Sequence, residues 1–255
     1  MRIPEYRNVM RCWRCTVVLA CTATLAIPAV AAPSLTPHVA EYKVKISMLG
    51  GQLNTELKLT ETGYVATHVI KPTGLSRIVS RGKISETSEF DALSDGIRPR
   101  VYSSIDTISR DKNRVSVRFD WDTGEARGTV DGEEVVSIMN DLAYDRVSIQ
   151  YELMHDLLSE GPSDNYTMFE IDRLRSVKVR NIGVRKVKVP AGQFDVIGIQ
   201  HQAEGSKRVT TLWCAEELDY LPVIIEQHRK GKLRVRATLN KYSPEPDSQT
   251  VSSEQ

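Results

Sequence analysis

Stretches in which apolar and polar residues take turns recur from residue 40 to residue 239, and each predicts a strand with one face in the core and one in water. Ala40, Tyr42, Val44, Ile46 and Met48 alternate with Glu41, Lys43, Lys45 and Ser47. After Gly50-Gly51, Leu53, Thr55, Leu57 and Leu59 alternate with Asn54, Glu56, Lys58 and Thr60, so a hairpin is expected. Thr62-Gly63 turns the chain into a third strand at 64–70. Lys71-Pro72-Thr73-Gly74 then interrupts, and 75–80 reads equally as a helical turn or an edge strand. Further strands are expected at 82–93 and 100–108 around a polar loop at 94–99, and at 115–121 and 126–130. Beyond these come strands at 166–172, 177–189 and 194–200, the last two joined at Val189-Pro190-Ala191-Gly192.

The clearest text is 210–242. Thr210 to Trp213 is β-branched and aromatic, Glu216 to Asp219 interrupts with charge, and Leu221-Pro222 forces an extended entry into Val223-Ile224-Ile225. Residues 229–232 turn the chain. Leu233, Val235, Ala237 and Leu239 then mark a core face, with Arg234, Arg236, Thr238 and Asn240 on the other. One segment alone has helical spacing, at 145–159: Asp145 caps it, Val147, Tyr151, Met154 and Leu158 form its apolar stripe, and Gly161-Pro162 stops it. Gln150, Glu152, Asp156 and Glu160 predict a solvated opposite side, and His155 reads as a helix-surface histidine.

No internal repeat and no interior linker divides the chain. The pattern predicts a mainly β, single-domain protein over 32–242: a predominantly antiparallel curved sheet, sandwich or open barrel of about a dozen strands, with one covering helix after the eighth or so. Residues 243–255, rich in Ser, Pro, Gln and Glu, are expected to be a disordered tail.

Composition is ordinary for a globular protein: 255 residues, 40% hydrophobic, 26% charged, net charge +1. The first residues alter that reading. Arg2, Arg7, Arg11 and Arg14 precede an apolar run at 16–30 ending in Ala29-Val30-Ala31, a pattern that predicts a secretory signal peptide at 1–31, cleaved near Ala31. The run is short for a membrane span and contains Pro28, so no transmembrane segment is expected after its removal. Cleavage would take away those four arginines and Glu5, leaving 30 basic and 32 acidic side chains. General nucleic-acid binding then has no electrostatic basis. Cys12, Cys15 and Cys21 would leave with the signal, and Cys214 would remain as a buried thiol beside Trp213.

Motifs for chemistry are missing. His38, His68, His155, His201 and His228 form no HxH or HxxxH pair, so neither a zinc site nor any other cofactor is predicted. A calcium loop from Asp120 fails because Glu125 stands at the glycine position and Asp131 at the twelfth. Glu216, Glu217 and Asp219 read as a solvated corner. No catalytic residue is identified, and a non-enzymatic role is expected. One charge pattern stands out: Lys230, Lys232, Arg234 and Arg236 end a basic series that begins at Arg173, and would face either an anionic partner or simply water.

Several phrases in order resemble bacterial exported proteins grouped as domain of unknown function 3108. They are Thr73-Gly74-Leu75 with Gly82; Gly96-Ile97-Arg98-Pro99 with Tyr102; Phe119-Asp120-Trp121 with Gly124; Asp145-Arg146-Val147-Ser148 through Tyr151-Glu152-Leu153 to Gly161-Pro162; the turn Val189 to Asp195; and Leu212-Trp213-Cys214-Ala215 through Leu218 to Val223. Glu216, Asp219 and Cys214 depart from that pattern. The resemblance implies a curved antiparallel sheet in the periplasm and transfers no catalytic residue. By analogy of fold alone, such sheets suggest the envelope's lipoprotein carriers, whose half-barrel is closed by helix. The expectation is a periplasmic binding or carrier module for an apolar or lipid-like ligand beneath the 145–159 helix. The alternative is an envelope-assembly scaffold that binds other proteins through a sheet edge or the basic face.

Overall fold

The computed structural model describes residues 35–245, apart from residues 48, 80, 109–112 and 171. The expected signal peptide, its cleavage point and residues 246–255 lie outside the described residues. A first meander contains β1 (His38–Ile46), β2 (Leu49–Thr60), β3 (Gly63–Pro72), β4 (Ile84–Leu93), β5 (Gly96–Asp106), β6 (Asn113–Asp120), β7 (Glu125–Val130) and β8 (Glu133–Ile138). Helix α1 (Ser76–Val79) sits between β3 and β4, so the described part of the ambiguous segment holds a helical turn. The two-residue β9 (Ala143–Tyr144) leads into α2 (Ser148–Leu158). A second meander follows: β10 (Asn165–Glu170), β11 (Arg173–Val189), β12 (Gly192–Ala203), β13 (Arg208–Ala215), β14 (Leu221–Arg229) and β15 (Lys232–Pro244).

All fifteen described strands join one sheet, in the order β8 to β1, then β15 down to β9. Every neighbouring pair is antiparallel except β9 with β10. The seam is β1 against β15, where Tyr42 pairs with Leu239 and Val44 with Ala237. The sheet curves without closing into a barrel, although β8 approaches β11 and β9 approaches β5.

Alternation explains the core. Ala40, Tyr42 and Val44 of β1 lie beside Leu53 and Leu57 of β2, and Ala66 of β3 pairs with Leu57. Tyr42, Leu57, Phe90, Ile97, Ile199, Leu221 and Ile224 are among the largest fully buried side chains. A polar row crosses the same inner face: Thr55, His68, Glu86 and Ser104 are directly opposite one another on β2 to β5. Glu86 accepts a hydrogen bond from Tyr102 Oη at 2.8 Å and faces Arg146 at 3.5 Å, so the row is partnered from the segment that leads into α2.

Five expectations need correction. The helix follows the ninth strand, because 131–144 carries β8, whose Glu-Glu-Val-Val-Ser-Ile does not alternate, and the two-residue β9. β5 begins at Gly96 rather than after a 94–99 loop: Ile97 is buried, and Pro99 is tolerated opposite Phe90, where the β4–β5 register shifts. Leu233 is 48% exposed, since it pairs with His228 at a bulge near the Lys230-Gly231 turn, beyond the core. Ser243 and Pro244 belong to β15, paired with Val39 and His38, so the expected tail cannot begin at residue 243. The expected wet side of α2 is only partly so: Gln150, Glu152 and His155 are buried, Asp156 is half-buried and Glu160, just past the helix, is exposed. The sheet encloses the helix from Ser148 to His155, and only its last turn reaches water.

Candidate functional site

Two places bring functional groups together, and the first lies on the buried polar side of α2. Asp145 caps the helix as its position predicts: its Oδ1 accepts from the backbone N–H of Val147 at 2.8 Å and of Ser148 at 2.9 Å, and its Oδ2 accepts from Ser88 Oγ at 2.5 Å. Burial raises the Asp145 pKa to about 6, against those hydrogen bonds. Two turns on, Glu152 is 3% exposed. Its Oε1 accepts from Tyr144 Oη at 2.6 Å and its Oε2 from the Ile97 N–H at 2.6 Å. Burial raises its pKa to about 7, opposed by the same two donors. Gly96 makes room for it, since a Cβ there would stand 2.9 Å from Glu152 Oε1, on a backbone with φ of +134°.

His155 and Asp156 complete the group, because positions i, i+3 and i+4 share one side of a helix. Their ligating atoms and that of Glu152 all lie within 4.8 Å of one another. His155 is 2% exposed; its Nε2 is 2.9 Å from the Leu93 carbonyl, and its Nδ1 is buried with no hydrogen-bond partner. The Asp156 carboxylate beside it raises the His155 pKa, while burial pulls the other way. Asp156 Oδ2 accepts from the Tyr166 phenol. Glu152 and Asp156 line a concavity of about 540 Å³ with Asp95, Asp141, Glu160 and Tyr144. The signal for this group was present as Glu-x-x-His-Asp in the sequence, but a search for paired histidines passes over a lone histidine with two carboxylates.

The second place is an open groove of about 1050 Å³. Val39, Glu41, Gln52, Asn54, Glu56, Thr67 and Val69 contribute to it from β1–β3, at positions that alternate with the inward row, and Thr55 alone joins them from that row. The groove therefore lies mainly on the outer face of these strands. Pro190, Ala191 and Phe194, at the tip of the β11–β12 hairpin, line it with Leu218 and Tyr242. A hydrogen bond of 3.2 Å from the Ala191 N–H to the Leu239 carbonyl ties that tip to β15. Asn240 Nδ2 donates to Glu41 Oε1 at 2.6 Å within the groove.

The helix stripe expected to cover a ligand is elsewhere. Val147, Tyr151 and Met154 are buried and Leu158 partly so, and none of the four lines either concavity. Tyr151 packs on Phe90 at 5.4 Å between ring centroids and on His68 at 6.1 Å. Lys230, Lys232, Arg234 and Arg236 are exposed around the β14–β15 turn, and Arg236 faces Glu226 at 3.6 Å. Cys214 is buried, which raises its pKa and leaves the thiol protonated. At the charged corner a 3-10 helix spans Glu216–Leu218; Glu216 and Glu217 are exposed, and Asp219 accepts a 2.5 Å hydrogen bond from Thr36.

Comparison with known proteins adds fold and family. The chain is similar to a solved structure described as "Beta-barrel-like Protein of Domain of Unknown Function DUF1849 from Brucella abortus", with 13% identity and a TM-score of 0.54, over 83% of this chain and 98% of that one. At that identity the likeness is one of fold. No curated protein matches. The family described as "Protein of unknown function (DUF3108)" matches residues 40–238, and the chain belongs to that family.

Proposed function

We propose that this protein is a non-enzymatic binding module of the bacterial envelope, exported to the periplasm, which holds an amphiphilic, lipid-like molecule in the outer groove. The groove is the observation that supports this reading. Its volume of about 1050 Å³ suits a small-molecule ligand. Val39, Val69, Pro190 and Phe194 offer apolar contact, while Glu41, Asn54 and Asn240 offer a few polar groups to fix orientation. The site differs from the one first expected under the helix, because α2 is itself packed into the sheet interior. Native mass spectrometry of protein purified from the periplasm without detergent tests the proposal. A bound amphiphile is expected on the wild type and absent from Val69→Arg; a wild-type chain that emerges free of any adduct overturns it.

A second reading as an assembly scaffold has its own support. β8 ends the sheet order and exposes Val136 and Ile138, which gives a partner chain an apolar edge on which to add a strand. In-cell crosslinking from Val136 would trap a defined protein under this reading, and lipid or nothing under the first.

A further inference from the structure

We propose that Glu152, His155 and Asp156 form a binding site for a first-row divalent transition cation, with zinc the best fit. The three ligating atoms are already within 4.8 Å of one another. Two carboxylates bring the negative charge that a divalent cation neutralises. The imidazole favours a borderline metal over calcium or magnesium, which take oxygen donors.

A carboxylate cluster alone would not carry this assignment; the histidine does. His155 is held by the Leu93 carbonyl at Nε2, and with the proton on that nitrogen the lone pair falls on Nδ1. That Nδ1 is buried without a partner and stands 3.9 Å from Asp156 Oδ1, aimed into the cluster. A backbone carbonyl that fixes the far ring nitrogen is the support a metal-ligating histidine ordinarily has. The carboxylates are oriented in the same manner, Glu152 by Tyr144 and the Ile97 N–H, Asp156 by Tyr166. Asp95, Asp141 and Glu160 at the adjoining concavity add negative potential on the approach. The competing account of the same atoms is an imidazolium lodged between two carboxylates, with no metal. The cation site is independent of the groove on the outer face, and either holds without the other.

Titration calorimetry on the untagged full chain, stripped with chelator and then given zinc chloride, separates the two accounts. One zinc per chain is expected, undiminished by millimolar calcium or magnesium. Asp156→Asn should abolish the isotherm, and Tyr166→Phe, which leaves all three ligands in place, should weaken binding about tenfold. His228→Gln should bind as the wild type does. Because Asp156→Asn also touches Tyr166, the wild type provides a second readout: zinc should shift the ring resonances of His155 and leave those of His228 unmoved. No zinc uptake, binding that survives Asp156→Asn, or equal binding of calcium would each overturn the proposal.

Discussion

The two sides of α2 are equally buried and opposite in chemistry. Val147, Tyr151 and Met154 on one side meet ring carbons and aliphatic groups. Glu152 and His155 on the other are enclosed just as fully, yet the carboxylate and imidazole each need named partners: Tyr144, the Ile97 N–H and the Leu93 carbonyl. An apolar side chain is stabilised by any close-packed neighbour. A buried polar one is stabilised only by a donor or acceptor in the right place, and loses heavily when that partner goes. The apolar side therefore reports how much surface the sheet encloses, and the polar side reports which atoms it was built to hold.

The largest effect should come from the apolar side. Tyr151→Ala leaves a cavity between Phe90 and His68 and is expected to lower stability by about 3–5 kcal/mol, read as a shift in the urea midpoint. A loss below about 1 kcal/mol would mean that α2 is loosely held.

Next is His201, the half-buried histidine of β12. Burial lowers the pKa of His201 to about 4 from 6.5, so between those values the unfolded chain binds a proton that the folded chain does not. Stability should rise with pH across that window by roughly 3 kcal/mol at most from this residue. His201→Gln should flatten the slope of urea midpoint against pH. Asp145 acts with opposite sign: its raised pKa lets the folded state keep a proton between about 3.8 and 6 that the unfolded state has lost, so its contribution falls as pH rises.

Glu152→Gln sharpens the polar half of the comparison. The amide retains one acceptor for two donors and should cost about 1–3 kcal/mol in chemical denaturation, in metal-free buffer. An unchanged midpoint would show that Tyr144 and Ile97 find other partners. Smallest of all, Arg234→Glu on the exposed start of β15 should move stability by less than about 0.5 kcal/mol, a change that serves as the surface control.

Much of this was legible in the letters. The alternation at 40–60 placed β1 and β2 and the inward residues of their middles, because a period of two needs no knowledge of what lies opposite, though Ile46 and Leu59 at the strand ends are exposed. The stripe Val147-Tyr151-Met154 placed α2 for the same reason. The burial of Glu152 and His155 was not legible: it depends on β5, β9 and β10 arriving on the far side of the helix, and amphipathic spacing assumes that the polar side meets water. Gly96 was counted into a polar loop, although its missing Cβ is what admits Glu152. Leu233 failed in the other direction, since alternation states which face a residue takes but not how far along the strand the core extends. The outer groove had no sequence signal, for it exists only where the β11–β12 tip meets residues of β1–β3.

The β1–β15 pairing sets the order in which this chain can fold. Every other antiparallel pair joins consecutive strands, so each meander can zip from its turns at small loss of chain entropy. The seam must close across almost the whole domain, with Asn240 reaching Glu41 over 199 positions. Contacts of that span form slowly. The chain should thus spend its slowest step as two preformed half-sheets searching for one shared edge, and the ribosome must deliver β15 before that search can begin.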